Sequence, residues 1–230
     1  MALPLYLART AAEMGGNRSP AVPGAYMACH FSPWGPGLSN LPEALPPESI
    51  LILDDSTPMS GHTPEVILRQ LSEQMERHQC QSLLLDFQRQ GIEVQQDLAA
   101  LLAEALPFPT AVSEIYAAGL SCPVFLSPVP PDRPLSEHLR PWHPREIWLD
   151  VTLDALELVL TENGCSCAPL FSFPDAGQTD VRLHCHYDIQ LEEAAHFRIW
   201  RTREDLEGLL LEAESLGVSR AIGLWQELGR

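Results

Sequence analysis

The sequence predicts an α/β protein whose strands close into a short (β/α)8 TIM-type barrel, with some of its helices reduced to loops. Short runs that are apolar on both faces alternate with amphipathic helices, a pattern typical of parallel strands covered by helices. About eight such runs occur, which is the number that closes a barrel. No glycine-rich phosphate-binding turn follows any run, which disfavours the alternative of an open doubly wound sheet. We expect residues 1–230 to form a single domain.

The predicted strands are short runs rich in leucine, β-branched and aromatic residues, bounded by turn-forming residues. Seven of them lie at 25–31, 50–55, 82–87, 110–116, 123–127, 146–151 and 220–225. Residues 156–200 change to alternating apolar and polar positions, with a turn signal at Glu162-Asn163-Gly164. Such alternation is typical of antiparallel strands, so we expect a β-hairpin insertion in the barrel over 156–200.

Capping residues locate two of the predicted helices. Thr63 offers an N-cap and Pro64 follows at the first helical position, where its missing N–H is no loss. Thr202 with Asp205 resembles a capping box, and Gly217 ends the helix that follows. The predicted apolar faces of three helices are Ile67, Leu68, Leu71 and Met75; Val94, Leu98, Leu101, Leu102 and Ala105; and Leu206, Leu209, Leu210 and Ala213.

The charge of the chain excludes some classes of partner. It carries 31 acidic against 14 basic residues, a formal net charge of −17, which repels phosphate backbones and anionic lipid. We therefore expect neither nucleic acid nor a membrane as a partner. The segment MALPLYLART lacks the features of a signal peptide, and the six cysteines are too sparse for a disulfide scaffold. These observations predict a cytoplasmic protein with reduced thiols.

Carboxylates and aromatic rings gather where the predicted strands end, which is where a barrel of this kind carries its functional residues. Aromatic faces stack on sugar faces, and paired acids protonate a glycosidic oxygen and stabilise the oxocarbenium ion. The pattern therefore indicates a site for a carbohydrate or another small polar ligand. The candidate residues are Trp34, Asp54, Asp55, Asp86, Gln88, Arg89, Glu114, Tyr116, Asp150, Trp225 and Glu227.

The strand SLLLDFQ resembles the catalytic strand of glycoside hydrolase family 18, whose pattern is DxxDxDxE. The aligned positions are Gln81, Leu84, Asp86 and Gln88, and Asp86 alone agrees. Position 88 is that of the family's proton donor, a glutamate. The family's catalytic strand is the fourth of its barrel, whereas SLLLDFQ is the third strand counted above. Either residues 3–9, LPLYLAR, form an additional first strand, or the barrel is remodelled.

The C-terminal stretch HFRIWRTREDLEGLLLEAESLGVSRAIGLWQELGR is similar to the end of the small family 18 modules of spore-forming bacteria. In those modules a hairpin strand leads to a helix and then to a last strand whose tryptophan floors the sugar site. The resemblance implies that Trp225 is this floor tryptophan. It also places Asp150 at the aspartate of the family's MxYD strand, with Leu149 at the tyrosine. The region 156–200 corresponds to the family's small α+β insertion.

Gln88 decides the functional prediction, because an amide cannot donate a catalytic proton as a carboxylic acid can. We expect a barrel that has lost hydrolysis and binds a glycan or peptidoglycan fragment, or serves as an interaction module. The alternative is an active hydrolase in which Glu114 replaces the missing acid. If the acid is lost, Gln88 should hydrogen-bond Asp86 or a nearby tyrosine, while Phe87 points to the helices.

Metal binding is the third functional alternative. Cys165 and Cys167, together with His184 and His186, could supply four zinc ligands. Both pairs lie in predicted hairpins, however, where alternation alone places residues i and i+2 on one face. A metal-dependent barrel hydrolase would instead use His30, Asp54, Asp55 and His186. The default expectation is a protein without metal or cofactor.

Overall fold

The computed structural model describes residues 3–14, 24–59, 61, 63–153, 155–170, 173, 177–191 and 193–229. In chain order the elements are β1 (Leu5–Arg9), α1 (Ala11–Met14), β2 (Ala25–Phe31), β3 (Leu38–Ser39), β4 (Ile50–Asp54), α2 (Pro64–His78), β5 (Ser82–Asp86), α3 (Glu93–Ala105), β6 (Thr110–Ser113), β7 (Val124–Leu126), α4 (Leu135–Leu139), β8 (Ile147–Val151), β9 (Ala155–Thr161), β10 (Gly164–Pro169), β11 (Gln178–Asp180), β12 (Cys185–Leu191), β13 (Ala195–Trp200), α5 (Arg203–Ser215), β14 (Val218–Leu224) and α6 (Trp225–Leu228).

Eight parallel strands close into a barrel in the order β1, β14, β8, β7, β6, β5, β4, β2 and back to β1. The predicted (β/α)8 barrel is therefore confirmed. Residues 3–9 do contribute a barrel strand, β1, which pairs with both β14 and β2. The strand carrying Asp86 is consequently the fourth of the barrel, and the sequence-based count that made it the third was wrong.

Two apolar cores lie on the two sides of the barrel wall. Strand alternation sends one set of side chains into the barrel, where they form a small core of nine buried residues. These are Ala8, Ala25, Ile50, Ile52, Leu84, Ala111, Phe125, Trp148 and Ile222. The alternate residues face outward and pack against the helices in a larger core, which includes Leu51, Leu83 and Leu85. Trp148, predicted to pack and not to bind, is completely buried in the inner core.

The sequence predicted where the helices begin more accurately than which of their residues are buried. Helix α2 begins at Pro64 after Thr63, and α5 begins after a complete capping box between Thr202 and Asp205. In α3 the prediction of Val94 as a buried residue is wrong, since its side chain is 51% exposed. Gln95 is buried in its place, because its amide oxygen accepts a hydrogen bond from the Tyr116 hydroxyl. No helix separates β2 from β4 or β6 from β7, as expected for a shortened barrel.

The insertion between β8 and α5 is a five-stranded antiparallel sheet in the order β10, β9, β13, β12, β11. Residues 156–200, predicted to form hairpins, thus belong to one continuous sheet, which we call the insertion sheet. Arg201, just after β13, is 2% exposed and donates hydrogen bonds to the carbonyl oxygens of Val129 and His184. The sheet is thus fastened to the barrel through buried polar contacts.

Within the described ranges, no helix is both long enough and apolar enough to cross a membrane.

Candidate functional site

Three carboxylates point into the barrel at the carboxyl ends of its strands. Asp54 and Asp86 are the last residues of β4 and β5 and are neighbours in register. Asp150 lies near the end of β8, two residues after the inward-facing Trp148. Because alternate residues of a strand share one face, all three carboxylates continue the inward rows of apolar side chains. They therefore sit above the inner core at the mouth of the barrel.

Two adjoining cavities open at this mouth. A cavity of about 90 Å³ is lined by Ala8, Met27, Ile52, Asp54, Leu84, Asp86, Phe125, Asp150, Ile222, Gly223 and Leu224. A second cavity of about 260 Å³ is lined by Gln88, Ser113, Glu114, Ile115, Phe125, Ser127, Pro128 and Asp150. Phe125 and Asp150 line both cavities, so the two adjoin along this wall. Together they lie at the small end of the roughly 300–1,000 Å³ typical of small-molecule sites.

Gln88 and Asp86 are joined by a side-chain hydrogen bond. The Gln88 amide nitrogen Nε2 donates to Asp86 Oδ1 over 2.5 Å. Phe87, between them, is completely buried and packs on the outside of the barrel against Phe31 and Tyr116. This arrangement is the one expected if an amide has taken the place of a carboxylic acid next to Asp86.

The pKa of Asp86 is raised above its ordinary value. Burial is the main cause, and the negative charges of Asp54 and Asp55 add to it. The hydrogen bond from Gln88 acts in the opposite direction, because it favours the ionised carboxylate, but it does not outweigh burial. A carboxyl group whose ionisation is disfavoured in a cleft is typical of a functional site.

Glu114 follows β6 directly and lines the larger cavity with Gln88. Its Oε1 accepts hydrogen bonds from the Ser127 hydroxyl at 2.5 Å and from the Ser127 amide at 3.3 Å. Ser127 follows β7, and its carbonyl oxygen lies 3.0 Å from Nε2 of His138. The Glu114 carboxylate is therefore held in place by the neighbouring strand end.

Asp55 and Arg89 lie outside the two cavities, contrary to the prediction that Asp55 lines the cleft. Asp55 comes one residue after the inward Asp54, so alternation turns it outward, and it is only 3% exposed. Its two oxygens accept the backbone N–H groups of Gln88 and Arg89, each at 2.9 Å. The Arg89 guanidinium donates to the carbonyl oxygen of Ser56. Asp55 thus fixes the loop that presents Gln88 and does not face a ligand.

Tyr116 also lies away from the cavities. It belongs to the turn after β6, is 2% exposed, and stands edge-on to Phe87 with ring centroids 5.9 Å apart. Its single hydroxyl proton is shared between the carbonyl oxygen of Arg89 and Oε1 of Gln95. Trp34, in contrast, is 93% exposed in the loop between β2 and β3. A loop tryptophan this open is suited to stacking, but it lines neither cavity.

The floor tryptophan implied by the family resemblance does not occupy the cavity floor. Trp225 follows Leu224, and it is Leu224 that points inward and lines the smaller cavity. The Arg9 guanidinium lies over the Trp225 ring, 4.1 Å from its centroid. Glu227 accepts a hydrogen bond from the Leu153 amide and so connects α6 to the segment after β8. Both residues stabilise the rim of the barrel.

Several lining residues were not predicted from the sequence, and strand alternation is the signal that would have found them. Phe125 and Ser127 are two residues apart at the end of β7, and both line the larger cavity. Leu224 lies two residues after the inward Ile222 of β14. Counting inward positions along each strand, and not only polar residues near its end, identifies all three.

The two metal-site alternatives find no support in the geometry. Cys165 and Cys167 lie on β10 and His186 on β12, and β9 and β13 separate these two strands. His184 and His186 instead bond to Glu212 and Asp205 of α5. His30 contacts Asn40 and Thr57. In the described part of the chain, no three His, Cys, Asp or Glu side chains form a group that could hold a metal ion.

Comparison with known proteins gives a likeness of fold. Neither a protein-family model nor a curated protein sequence matches the chain. Among solved structures, the spore cortex-lytic enzyme SleL of Bacillus cereus matches with a TM-score of 0.60 at 8% identity, over 96% of this chain and 70% of the other. A chitinase from Chromobacterium violaceum matches with a TM-score of 0.60 at 9% identity, over 97% of this chain and 93% of the other.

A third similar structure contains an oligosaccharide. It is a double mutant of a family 18 chitinase from Cycas revoluta in complex with (GlcNAc)4, and one of its substitutions replaces a glutamate by glutamine. It matches with a TM-score of 0.55 at 11% identity, over 96% of this chain and 94% of the other. The chain therefore folds as a glycoside hydrolase family 18-like TIM barrel, similar to the barrels of the spore cortex-lytic enzymes.

Proposed function

We propose that the protein binds a glycan at the mouth of the barrel and does not hydrolyse it. One observation carries the proposal: Gln88, on the fourth strand of the barrel, donates a hydrogen bond to Asp86 from the position where the resemblance implies a glutamate. The amide preserves the hydrogen bond to the aspartate but has no acidic proton to transfer to a leaving group. On this proposal the hydrogen bond to Asp86 is kept and proton donation is lost.

The lining of the cavities supports a sugar as the ligand. Asp54, Asp86 and Asp150 offer acceptors for hydroxyl and amide protons, and Ser113 and Ser127 add hydroxyl groups. Phe125 contributes an aromatic face between the two cavities. Pockets that combine an apolar wall with a few convergent polar groups are the usual form of small-molecule sites.

The similar structures suggest the class of sugar. The Cycas revoluta chitinase mutant holds (GlcNAc)4 although one of its glutamates is a glutamine. A glutamine in a barrel of this fold is therefore compatible with oligosaccharide binding. We propose an oligosaccharide of N-acetylglucosamine, or the related glycan of peptidoglycan, as the ligand.

Titration calorimetry with (GlcNAc)4, together with chromatography of the sugar after incubation, tests the proposal. We expect binding without cleavage by the unmodified protein. Gln88→Glu should then gain weak but measurable hydrolysis of an activated chitobioside, because the neighbouring Asp86 raises the pKa of the new carboxyl into the range of a proton donor. Gln90→Glu adds the same charge at an exposed loop position and should gain nothing. Cleavage by the unmodified protein would contradict the proposal, and absence of binding would leave the barrel as an interaction module.

A second function, hydrolysis with a displaced acid, is favoured by one observation: Glu114 lines the same cavity as Gln88 and Asp150. In that case the unmodified protein cleaves the oligosaccharide and Glu114→Gln abolishes the activity. Equal activity of the parent and of Gln88→Glu would point to Glu114 in the same way.

A further inference from the structure

Across β10, β9, β13 and β12, one face of the insertion sheet carries no ionised side chain. The strand register places three rows of side chains on this face, and each row crosses β10, β9, β13 and β12. We call this set the apolar face. Its rows are Pro169, Leu156, Ile199 and Tyr187; Cys167, Leu158, Phe197 and Ile189; and Cys165, Leu160, Ala195 and Leu191.

The opposite face of the insertion sheet carries the charges and is satisfied within the chain. Glu157 accepts hydrogen bonds from Arg198 Nε at 2.8 Å and from His196 Nδ1 at 3.2 Å. Arg198 also lies 3.8 Å from a carboxylate oxygen of Asp188. At the base of the sheet, His186 bonds to Asp205 of α5. The charged face is thus the one that pairs internally and is tied to the barrel.

The apolar face, in contrast, has no second layer among the described residues. None of its twelve side chains belongs to either of the two apolar cores. Leu160, Ile189 and Leu191 are 43%, 47% and 76% exposed, and Cys165 and Cys167 are exposed as well. A sheet with one apolar face is stable when another layer covers that face. From the spacing of strands and residues, the whole apolar face measures roughly 20 Å by 20 Å, the size of the largest apolar patches of monomeric proteins. Its central side chains, such as Leu158 and Phe197, are half-buried by their neighbours in the sheet.

We propose that the apolar face is the interface of a homodimer in which two copies pack their insertion sheets face to face about a two-fold axis. A second copy supplies a sheet of the same size, twist and row spacing, which is the requirement for aligned sheet packing. Asp180, paired with Cys185, lies at the β11 edge of this face. None of the twelve side chains of the apolar face is ionised, although each chain carries a net charge of −17. That charge also disfavours an anionic lipid surface as the occupant.

The size of the face predicts a dimer of moderate affinity. Two patches of about 400 Å² in projection bury an accessible area close to the roughly 1,000 Å² that a specific interface requires. The dimer should therefore form at high protein concentration and dissociate on dilution.

Sedimentation velocity over a dilution series tests this inference. Ile189→Lys and Leu191→Lys each place a charge on the apolar face at an exposed position, so that folding is little affected. Gln190→Lys places the same charge between them on the other face of β12 and is the matched control. We expect concentration-dependent dimerisation of the parent and of Gln190→Lys, and a dissociation constant raised at least about tenfold in the other two variants. Circular dichroism verifies that all four proteins are folded.

Two results would overturn the inference. One is a parent protein that remains monomeric at the highest concentration, and the other is equal dimerisation of Ile189→Lys and Gln190→Lys. If the parent is monomeric and Ile189→Lys loses (GlcNAc)4 binding, the apolar face belongs to the glycan site and not to a second copy.

Discussion

Asp86 is held in an environment that disfavours its ionised form. Because its pKa in the folded state is raised, the folded protein binds a proton more tightly than the unfolded chain does. Stability therefore falls as the pH rises from the ordinary aspartate value, about 3.9, through the raised pKa. A carboxylate kept at a cost to stability is what a functional site requires.

Asp86→Asn should consequently stabilise the protein at neutral pH. The amide removes the buried charge, and its oxygen can still accept the hydrogen bond from Gln88. We expect a rise in Tm on the order of a few degrees at pH 7, and no rise below about pH 3.5, where Asp86 is protonated in both states. Differential scanning calorimetry at the two pH values measures the difference. A lower Tm for the variant at pH 7 would show that the charge is stabilised.

Asp55 has the opposite role, since it stabilises the loop that carries Gln88. Asp55→Ala leaves two partly buried backbone N–H groups without their acceptor, and we expect a loss of about 1–2 kcal/mol in the free energy of unfolding. Asp55→Asn keeps one carbonyl oxygen and should lose less. Urea denaturation followed by circular dichroism measures both. Equal stability of the alanine variant and the parent would contradict this role.

The sequence predicted which residues gather at the barrel mouth better than it predicted their orientation. Asp54, Asp86, Gln88, Glu114 and Asp150 line the cavities because strand ends of a parallel barrel meet at one rim. Asp55 and Trp225 do not, because each follows an inward residue by one position and alternation turns it away. Which residues gather at the rim depends on the fold alone. Which of them point inward depends on which alternate positions of each strand face the barrel interior.

At the level of elements, β1 is a strand that local sequence patterns do not identify. Residues 3–9 contain a proline, an arginine and one short apolar run, which is too little to identify β1 by itself. Its place is fixed by partners far away in the sequence, since Leu5 pairs with Ala221 and Ala8 with Ala25. The capping box of α5, by contrast, is local and was predicted correctly.

Asp205 connects α5 to the insertion sheet through its hydrogen bond with His186, and this bond helps to lower the pKa of Asp205. Burial alone would raise that pKa, but the hydrogen bonds from Thr202 and His186 outweigh burial, and the net pKa lies below the ordinary value. The lowered pKa means that Asp205 stabilises the fold above about pH 3.9 and that this stabilisation is lost as the pH falls through the lowered pKa.

Asp205→Asn should therefore destabilise the protein at pH 7 by about 1 kcal/mol, because the hydrogen bonds from Thr202 and His186 are stronger to a charged carboxylate than to a neutral amide oxygen. It should also make stability depend less on pH in the acidic range. Asp97→Asn, at an exposed position of α3, is the control and should change neither quantity. Urea titrations at pH 7 and at several acidic pH values measure both effects. An unchanged acid dependence in Asp205→Asn would contradict the assignment.

For the whole molecule, we expect the barrel and the insertion sheet to unfold together, as one domain. Arg201 bonds to both the segment after β7 and the turn before β12, and His184 and His186 bond to α5. Calorimetric and van't Hoff enthalpies should agree, and far-UV and near-UV circular dichroism should follow one transition. Two separate transitions, the first removing the insertion sheet, would show two domains.

The closure of the barrel by β1 also has a consequence for biosynthesis. As the chain leaves the ribosome, β1 appears more than 200 residues before its partner β14. Until then β1 and β8 each present an unpaired edge, and unpaired edges are templates for association with other chains. Contacts this distant in sequence also form slowly. We expect the nascent protein to depend on chaperones until β14 emerges, and refolding yield to fall steeply as protein concentration rises.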